Sequence, residues 1–284
     1  MSRKTPSIPF VNLHGHSTFS INDGFGFPQE HMDFAYSNGC DALALTDHGH
    51  ANGMSYQVLH AKKMKEQGKD FKPIFGVEAY FLESVKVWKE EMEELRKDAK
   101  KTRKLKKHTG TMEAENEGES KDTDGKKVAR RRKHLILLAQ NQTGLNNIFK
   151  LISESFTGNN FYRFPRIDFD LLSKHNEGVL VSTACLGGPL ASHMWENVEW
   201  KKDEKTGKNI KVSEDREAIL AGMRKTVKRF QAIFGDRFFA ELQWNDIEGQ
   251  HILNECIIEL QSELDYKIIS AADSHYPTDT SWKD

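Results

Sequence analysis

The sequence predicts an α/β barrel, and three observations carry that reading. Short runs rich in β-branched and aromatic residues, bounded by turn residues, recur along the 284 residues. Helical patterns fall between them, which argues for parallel strands, and about seven such units suffice to close a barrel. Polar residues able to hold a metal or move a proton recur just past the ends of the strand-like runs, where barrels of this kind keep their active residues.

Taken in order, strands are expected at 9–14 (PFVNLH), 41–46 (DALALT), 72–81 (KPIFGVEAYF), 134–140 (HLILLAQ), 178–184 (GVLVSTA), 237–243 (RFFAELQ) and 267–273 (KIISAAD). Helices are expected at 28–38, 52–67, 143–156, 213–234 and 248–264. The last carries Ile252, Cys256, Ile257 and Leu260 at helical spacing. Two segments interrupt the rhythm of what otherwise reads as a single domain over 1–284. Residues 84–133 form a charged insertion, opening with a helical stretch whose thin apolar stripe is Trp88, Met92, Leu95 and Ala99. The following HTGTMEAENEGESKDTDGKK has the composition of a disordered loop, so 106–128 are expected to be poorly ordered and dispensable for folding. It leads into a basic cluster, 126–133, that reads either as a solvated charge run or as a phosphate-binding edge. The second insertion, 198–212, turns at KTGKN and is expected to be a β-hairpin.

Lys+Arg total 41 against 42 Asp+Glu, a net charge of −1, so no global basic field grips nucleic acid and any such partner would be held locally. The start lacks the apolar core of a signal peptide, no apolar run reaches membrane-spanning length, and the three cysteines show no CxxC spacing. A reducing, cytoplasmic setting is expected, with no membrane partner.

The opening FVNLHGHSTFSINDG puts His14 and His16 at i and i+2, on one face of the expected first strand. On that stretch alone, a shared metal and an ordinary surface pair are both open. The rest of the chain favours the metal. Asp23 follows in the same loop; TDHGH places Asp47, His48 and His50 past the second strand; Glu78 lies inside an apolar run, where a carboxylate is costly unless paired or metal-bound. Cys185 follows the fifth strand, and Asp273 and His275 end the last. Imidazoles, carboxylates and a thiolate on one rim are too many for one ion, and suit Zn, Mn or Fe better than Mg, which prefers oxygen. His31, His60, His108, His175, His193 and His251 read as structural or exposed. His134 precedes its apolar run, so on this strand assignment it belongs at the wrong end of the barrel.

The segments LHGHSTFSINDG, ALALTDHG, PIFGVEAY, HLILLAQNQTGLNNI, FYRFPRID, ACLGG, DRFFAELQ and AADSHY, in that order, resemble the PHP (polymerase and histidinol phosphatase) domain, most closely the branch that begins the alpha subunit of bacterial DNA polymerase III. The resemblance implies a distorted (β/α)7 TIM-like barrel. It implies a first metal held by His14, His16, Glu78 and Asp273, and a second shared through Glu78 and completed by His134 and Cys185. Asp23, His48 and His275 would hold a third. His134 thereby enters the site against the strand reading.

The implied chemistry is phosphoester hydrolysis by a metal-bound hydroxide held by Glu78 and Asp273, in the form of a 3′→5′ exonuclease acting on a DNA 3′ end beside a polymerase core, in a bacterial or phage-infected cell. No polymerase active site is expected in these residues. Arg163 and Arg166 would steady phosphates or, equally, cap a helix and pair around Asp168. Two other readings stay open. One is a silent metal-binding scaffold that docks a polymerase; the other is a small-molecule phosphatase of the histidinol-phosphatase type, against which FYRFPRID and DRFFAEL argue.

Overall fold

A six-stranded curled sheet forms the centre of the molecule, seen in a computed structural model that describes residues 3–5, 8–109, 131–278 and 281, with backbone alone over 98–109. Its strands, in spatial order, are β1 (Ala42–Leu45), β2 (Lys72–Phe81), β3 (Lys133–Ala139), β6 (Val179–Ser182), β9 (Phe238–Leu242) and β10 (Lys267–Ser270). Helices α1 (Pro28–Ser37), α2 (Met54–Glu66), α3 (Val85–Thr109), α4 (Gln142–Ser155), α5 (Phe169–Lys174), α6 (Pro189–Asn197), α7 (Arg216–Phe234) and α8 (Glu248–Leu264) alternate with them. This is the TIM-like α/β architecture expected from the alternation.

Two expectations about the strands need correction. Residues 9–14 do not form a regular strand. Instead, residues 12–16 run as an extended segment that closes the curl: Asn12 O and Gly15 O accept from Ala44 N and Thr46 N of the β1 side, while His16 N donates to Ser274 O and Ser274 N to His14 O on the other. The sheet is also not parallel throughout. β1–β2, β6–β9 and β9–β10 pair in parallel, but β3 runs antiparallel to both neighbours, with Tyr80 opposite His134 and Ile136 opposite Ser182. The inversion turns the first residues of β3 toward the rim where the other strands end.

Period-two alternation divides the side chains. Val77, Ala79, Phe81, Leu135 and Leu137 pack outward into the main core, against helix residues such as Ile148, Phe230 and Ile257. Ile136 and Leu138 point inward with Ala44 and Ala184 and fill the floor of the curl. The interior is tight there: a Cβ on Gly76 would stand 2.5 Å from Leu138 Cδ2. Glu78, one step along β2 from Gly76 on the same face, is thus held above an apolar floor.

α3 docks by its first turns, where Val85, Trp88 and Met92 bury with Leu82. Of the expectation for 106–128, residues 110–128 lie outside the described residues, and 106–109 continue the backbone of α3. Residues 126–130 of the basic cluster lie outside them as well. β7 (Val198–Lys202) and β8 (Asn209–Glu214) form a two-stranded antiparallel sheet. Among the described residues no helix is long and apolar enough to cross a membrane.

The short β4 (Phe161–Tyr162) and β5 (Phe164–Pro165) precede a buried tie. Asp168 caps α5 by accepting from Leu171 N at 3.0 Å, and its other oxygen accepts from Val85 N at 2.9 Å, fixing the start of α3. One carboxylate serves two helix ends. Asp168→Ala is expected to leave two buried amides unpaired and to cost about 2 kcal/mol, roughly 4–8 °C in Tm. Thermal denaturation followed by circular dichroism checks this, and an unchanged Tm would show that neither helix start depends on Asp168.

Candidate metal centre

Glu78 is the hub of the site. It is fully buried, and four imidazoles face its two oxygens. Oε2 lies 2.6 Å from His14 Nε2 and 3.1 Å from His16 Nε2; Oε1 lies 2.5 Å from His134 Nδ1 and 3.2 Å from His48 Nδ1. Asp273 Oδ1 completes one side, 3.1 Å from His14 Nε2 and 3.4 Å from His16 Nε2. On the outer side Asp23 Oδ2 lies 2.7 Å from His48 Nε2 and 3.2 Å from His275 Nε2. Cys185 Sγ lies 3.6 Å from His134 Nδ1. All nine residues that the resemblance implies as ligands therefore converge.

Each element delivers its ligand for a local reason. The closing segment 12–16 brings in His14 and His16. The turn after β1 carries His48, whose backbone forms a parallel bridge with Glu78. The inverted β3 presents His134 at the rim. Ala184 and Asp273 hold left-handed φ values of 57° and 48°, bending the chain past β6 and β10 so that Cys185 and Asp273 point inward. Gly187 is a close approach: a Cβ there would stand 3.1 Å from His134 Nδ1.

A layer of groups beneath the cluster sets the imidazole tautomers, and the sequence reading missed it. Glu241 is buried, accepts from Gln243 Nε2 and Ser182 Oγ, and lies 2.8 Å from His14 Nδ1. Only a protonated Nδ1 bonds a carboxylate, so the Nε2 of a neutral His14 carries the lone pair. Ser20 Oγ donates to Asp47 Oδ1 at 2.9 Å, so it accepts from His16 Nδ1 at 2.8 Å, and His16 has the same tautomer. The signal for Glu241 was present as a second carboxylate inside an apolar strand, AEL, with the same cost of burial as Glu78. Asp47 serves this layer too, accepting from Ser17 N and Ser17 Oγ. His50 stays outside the cluster, its Nδ1 accepting from Asn52 N at 3.4 Å.

The electrostatics are those of a site built for cations. His14 and His16 turn electron-rich Nε2 atoms toward two carboxylates, an arrangement that needs a positive charge at its centre. Without one, protons take that place. Burial opposes charging His16, but the carboxylates of Asp273 and Glu78 facing its Nε2 outweigh it and raise its pKa to about 9. Burial likewise opposes ionising Asp273, yet His16 and His14 bring it down to about 2, and the surrounding imidazoles hold Glu78 well below the usual carboxylate range against its burial. Burial raises the Cys185 thiol, with the negative charges of Glu78 and Asp273 adding to it. His48 Nδ1, Glu78 Oε1 and Asp273 Oδ1 are buried without a hydrogen-bond partner, and all three belong to this cluster. Three sets of donor atoms lie within 4.8 Å of one another: His14, His16, Glu78 and Asp273; His48, Glu78 and His134; and His16, His48 and His275. Residues of this type and spacing fit divalent ions.

The remaining candidates fall elsewhere. Arg166 is a correction: its guanidinium is buried, donates to the carbonyls of Tyr162, Phe164 and Arg131, and lies 4.3 Å from the Trp88 ring, so it is spent on structure. The capping group beside it is Asp168. Arg163 is exposed in the β4–β5 turn, 5.8 Å from the Tyr162 ring. His31, His60, His175, His193 and His251 bond Phe25 O, Asp33, Glu154, Thr226 and Asp246, outside the cluster. The side chain of His108 lies outside the described residues.

The DNA polymerase III subunit alpha of Aquifex aeolicus is 32% identical over 270 residues, covering 95% of this chain and 18% of that protein. The same subunit of Borreliella burgdorferi is 32% identical over 267 residues, covering 94% of this chain and 18% of that protein. The chain thus spans about a fifth of the length of the curated relatives it matches. The solved structure of an amidohydrolase from Chromobacterium violaceum with bound sulfate is 12% identical, with a TM-score of 0.47, and covers 94% of this chain and 88% of that one. The family model described as the PHP domain matches residues 12–245, and the chain belongs to the PHP domain family.

Proposed function

We propose that this chain is a metal-dependent phosphoesterase that hydrolyses a phosphodiester by water, as a 3′→5′ exonuclease on a DNA end. The observation that carries the reading is the single buried Glu78 carboxylate shared by four imidazoles, with Asp273, Asp23 and Cys185 at its edges. Relatives named DNA polymerase III subunit alpha support a DNA substrate and a polymerase core as partner.

His14, His16, Glu78 and Asp273 would hold one ion, Glu78, His134 and Cys185 a second, and Asp23, His48 and His275 a third. Imidazole and thiolate donors favour Zn, Mn or Fe over Mg. Bound ions supply a water of lowered pKa and stabilise charge on the phosphoester oxygens. The protein's own part is orientation. Glu241 and Ser20 fix two imidazoles in the ligating tautomer, and the apolar floor of Ile136, Leu138 and Ala44 keeps bulk water from the buried side. Tyr80, stacked at 14° on His48 with 5.7 Å between centroids, holds that ring from the outer side.

Two outcomes test the reading. Glu78→Gln keeps the side chain's shape but removes the shared charge. It should lower metal-dependent hydrolysis of a 3′-mismatched DNA end by at least ~100-fold while the fold persists by circular dichroism. A folded, metal-loaded parent that is inert on every DNA end would instead favour a scaffold. Glu241→Gln should weaken metal affinity by about 10- to 100-fold, read by titration calorimetry with Zn²⁺ or Mn²⁺. Unchanged affinity would show that His14 needs no fixed tautomer.

A further inference from the structure

Beside the donor cluster lies a groove of about 1140 Å³, walled by the start of β3, the first turns of α3, α6 and the Leu186–Gly188 turn. Its inner end is Gly187, whose carbonyl accepts from His134 N at 2.9 Å and whose amide lies 3.4 Å from Cys185 Sγ. One residue's backbone separates groove from cluster.

Charge is unevenly placed in it. Among the described residues, Arg131, Arg132, Lys133 and Arg229 face the groove against two carboxylates, Glu83 and Glu196, in a chain whose net charge is −1. Glu83 is divided between Lys133 at 3.7 Å and Arg229 at 3.5 Å, and Arg131 pairs with Glu91 at a half-exposed surface, where such pairs are weak. Among the described residues the groove therefore keeps a local positive excess. On its wall Trp195 leaves 38% of its surface exposed, although it is pinned, with Nε1 donating to Leu186 O at 2.9 Å and the ring packed on Trp200 at 5.1 Å. A fixed, open indole beside several cations is what unpaired bases on a phosphate backbone require. A docked apolar helix would have no use for the cations, and a small metabolite would not fill the volume.

We propose that this groove leads single-stranded nucleic acid to the metal cluster, with a base stacked on Trp195 and backbone phosphates tracked by Lys133 and Arg229. The proposal deepens the phosphoesterase reading and relies on it only for what happens at the strand's end. The test is fluorescence anisotropy of a dye-labelled oligothymidylate, with phosphorothioate linkages at its 3′ end, over a range of salt. Trp195→Ala should weaken binding about 5- to 100-fold, and Trp195→Phe, which keeps an aromatic face, should restore most of it. Lys133→Gln and Arg229→Gln should each reduce the slope of log affinity against log salt by about 0.7. Thermal melts confirm that each variant is folded, and Lys133→Gln stands in should Arg229→Gln, which lies over Phe169, destabilise the core. Binding equal to the parent in folded Trp195→Ala and Lys133→Gln, or no binding by the parent at low salt, would overturn the groove. Hydrolysis of bis(p-nitrophenyl) phosphate is measured in parallel on the parent. Activity on that small ester with groove-independent oligonucleotide binding sinks the groove alone, whereas groove-dependent binding without hydrolysis upholds it and sinks the phosphoesterase reading.

Discussion

A carboxylate buried at the centre of a barrel is the constraint around which the rest of this structure is arranged. Moving an ion such as Glu78 out of water costs several kcal/mol unless partners replace the lost solvation. Here the partners are four imidazoles drawn from three places: the closing segment 12–16, the turn after β1, and the inverted β3. The topology follows from that requirement. Were β3 parallel, His134 would sit at the opposite end of the sheet and Glu78 Oε1 would lose its nearest neighbour. Were residues 12–16 a free arm rather than a closing segment bonded on both edges, His14 and His16 would not hold their spacing. The irregular parts of the barrel are those that serve the site.

The imidazoles are in turn constrained from behind. Ordinary burial would leave a neutral histidine free to choose either tautomer, with metal affinity falling accordingly. Glu241 and the Asp47–Ser20 relay remove that choice by occupying the Nδ1 atoms of His14 and His16. Asp47 acts at one remove: it accepts from Ser20, and this makes Ser20 an acceptor for the ring. Such chains need buried, fully satisfied groups, which is why Ser17, Ser20, Ser182 and Gln243 are all buried polar residues in the region.

Much of the site was legible in the sequence because metal donors are rare residue types inside apolar runs and at strand ends. His14, His16, Glu78, Cys185, Asp273 and His275 could be gathered from those positions before any fold was known. His134 could not, since periodicity reports which face a residue takes and not which way a strand runs. Only the family resemblance supplied it. The segment 9–14 reads as a strand because its composition is strand-like, yet its pairing is too local to form a regular ladder. Arg166 shows the opposite difficulty. An arginine among aromatic residues suits a phosphate as well as it suits a set of backbone carbonyls, and only packing against Trp88 separates the two. Glu241 carried the same signal as Glu78 but no spacing that tied it to a histidine.

The gradient of exposure across the cluster bears on whether it does chemistry or merely holds the fold. Metal sites that serve structure are closed, with ligands on all sides, whereas sites that do chemistry keep a face open to water and substrate. The side chains of His14, His16 and Glu78 are 0–1% exposed, so the inner side is closed. Exposure then rises outward, to 25% at His134 and His275 and 50% at Asp23. A staple would gain nothing from placing donors where water competes for them, and would be better served by four buried ligands. Donors in excess of what one ion needs, ordered beneath and open above, are what the proposed reaction at a phosphoester requires: a rigid set of charges on one side and room for the substrate on the other.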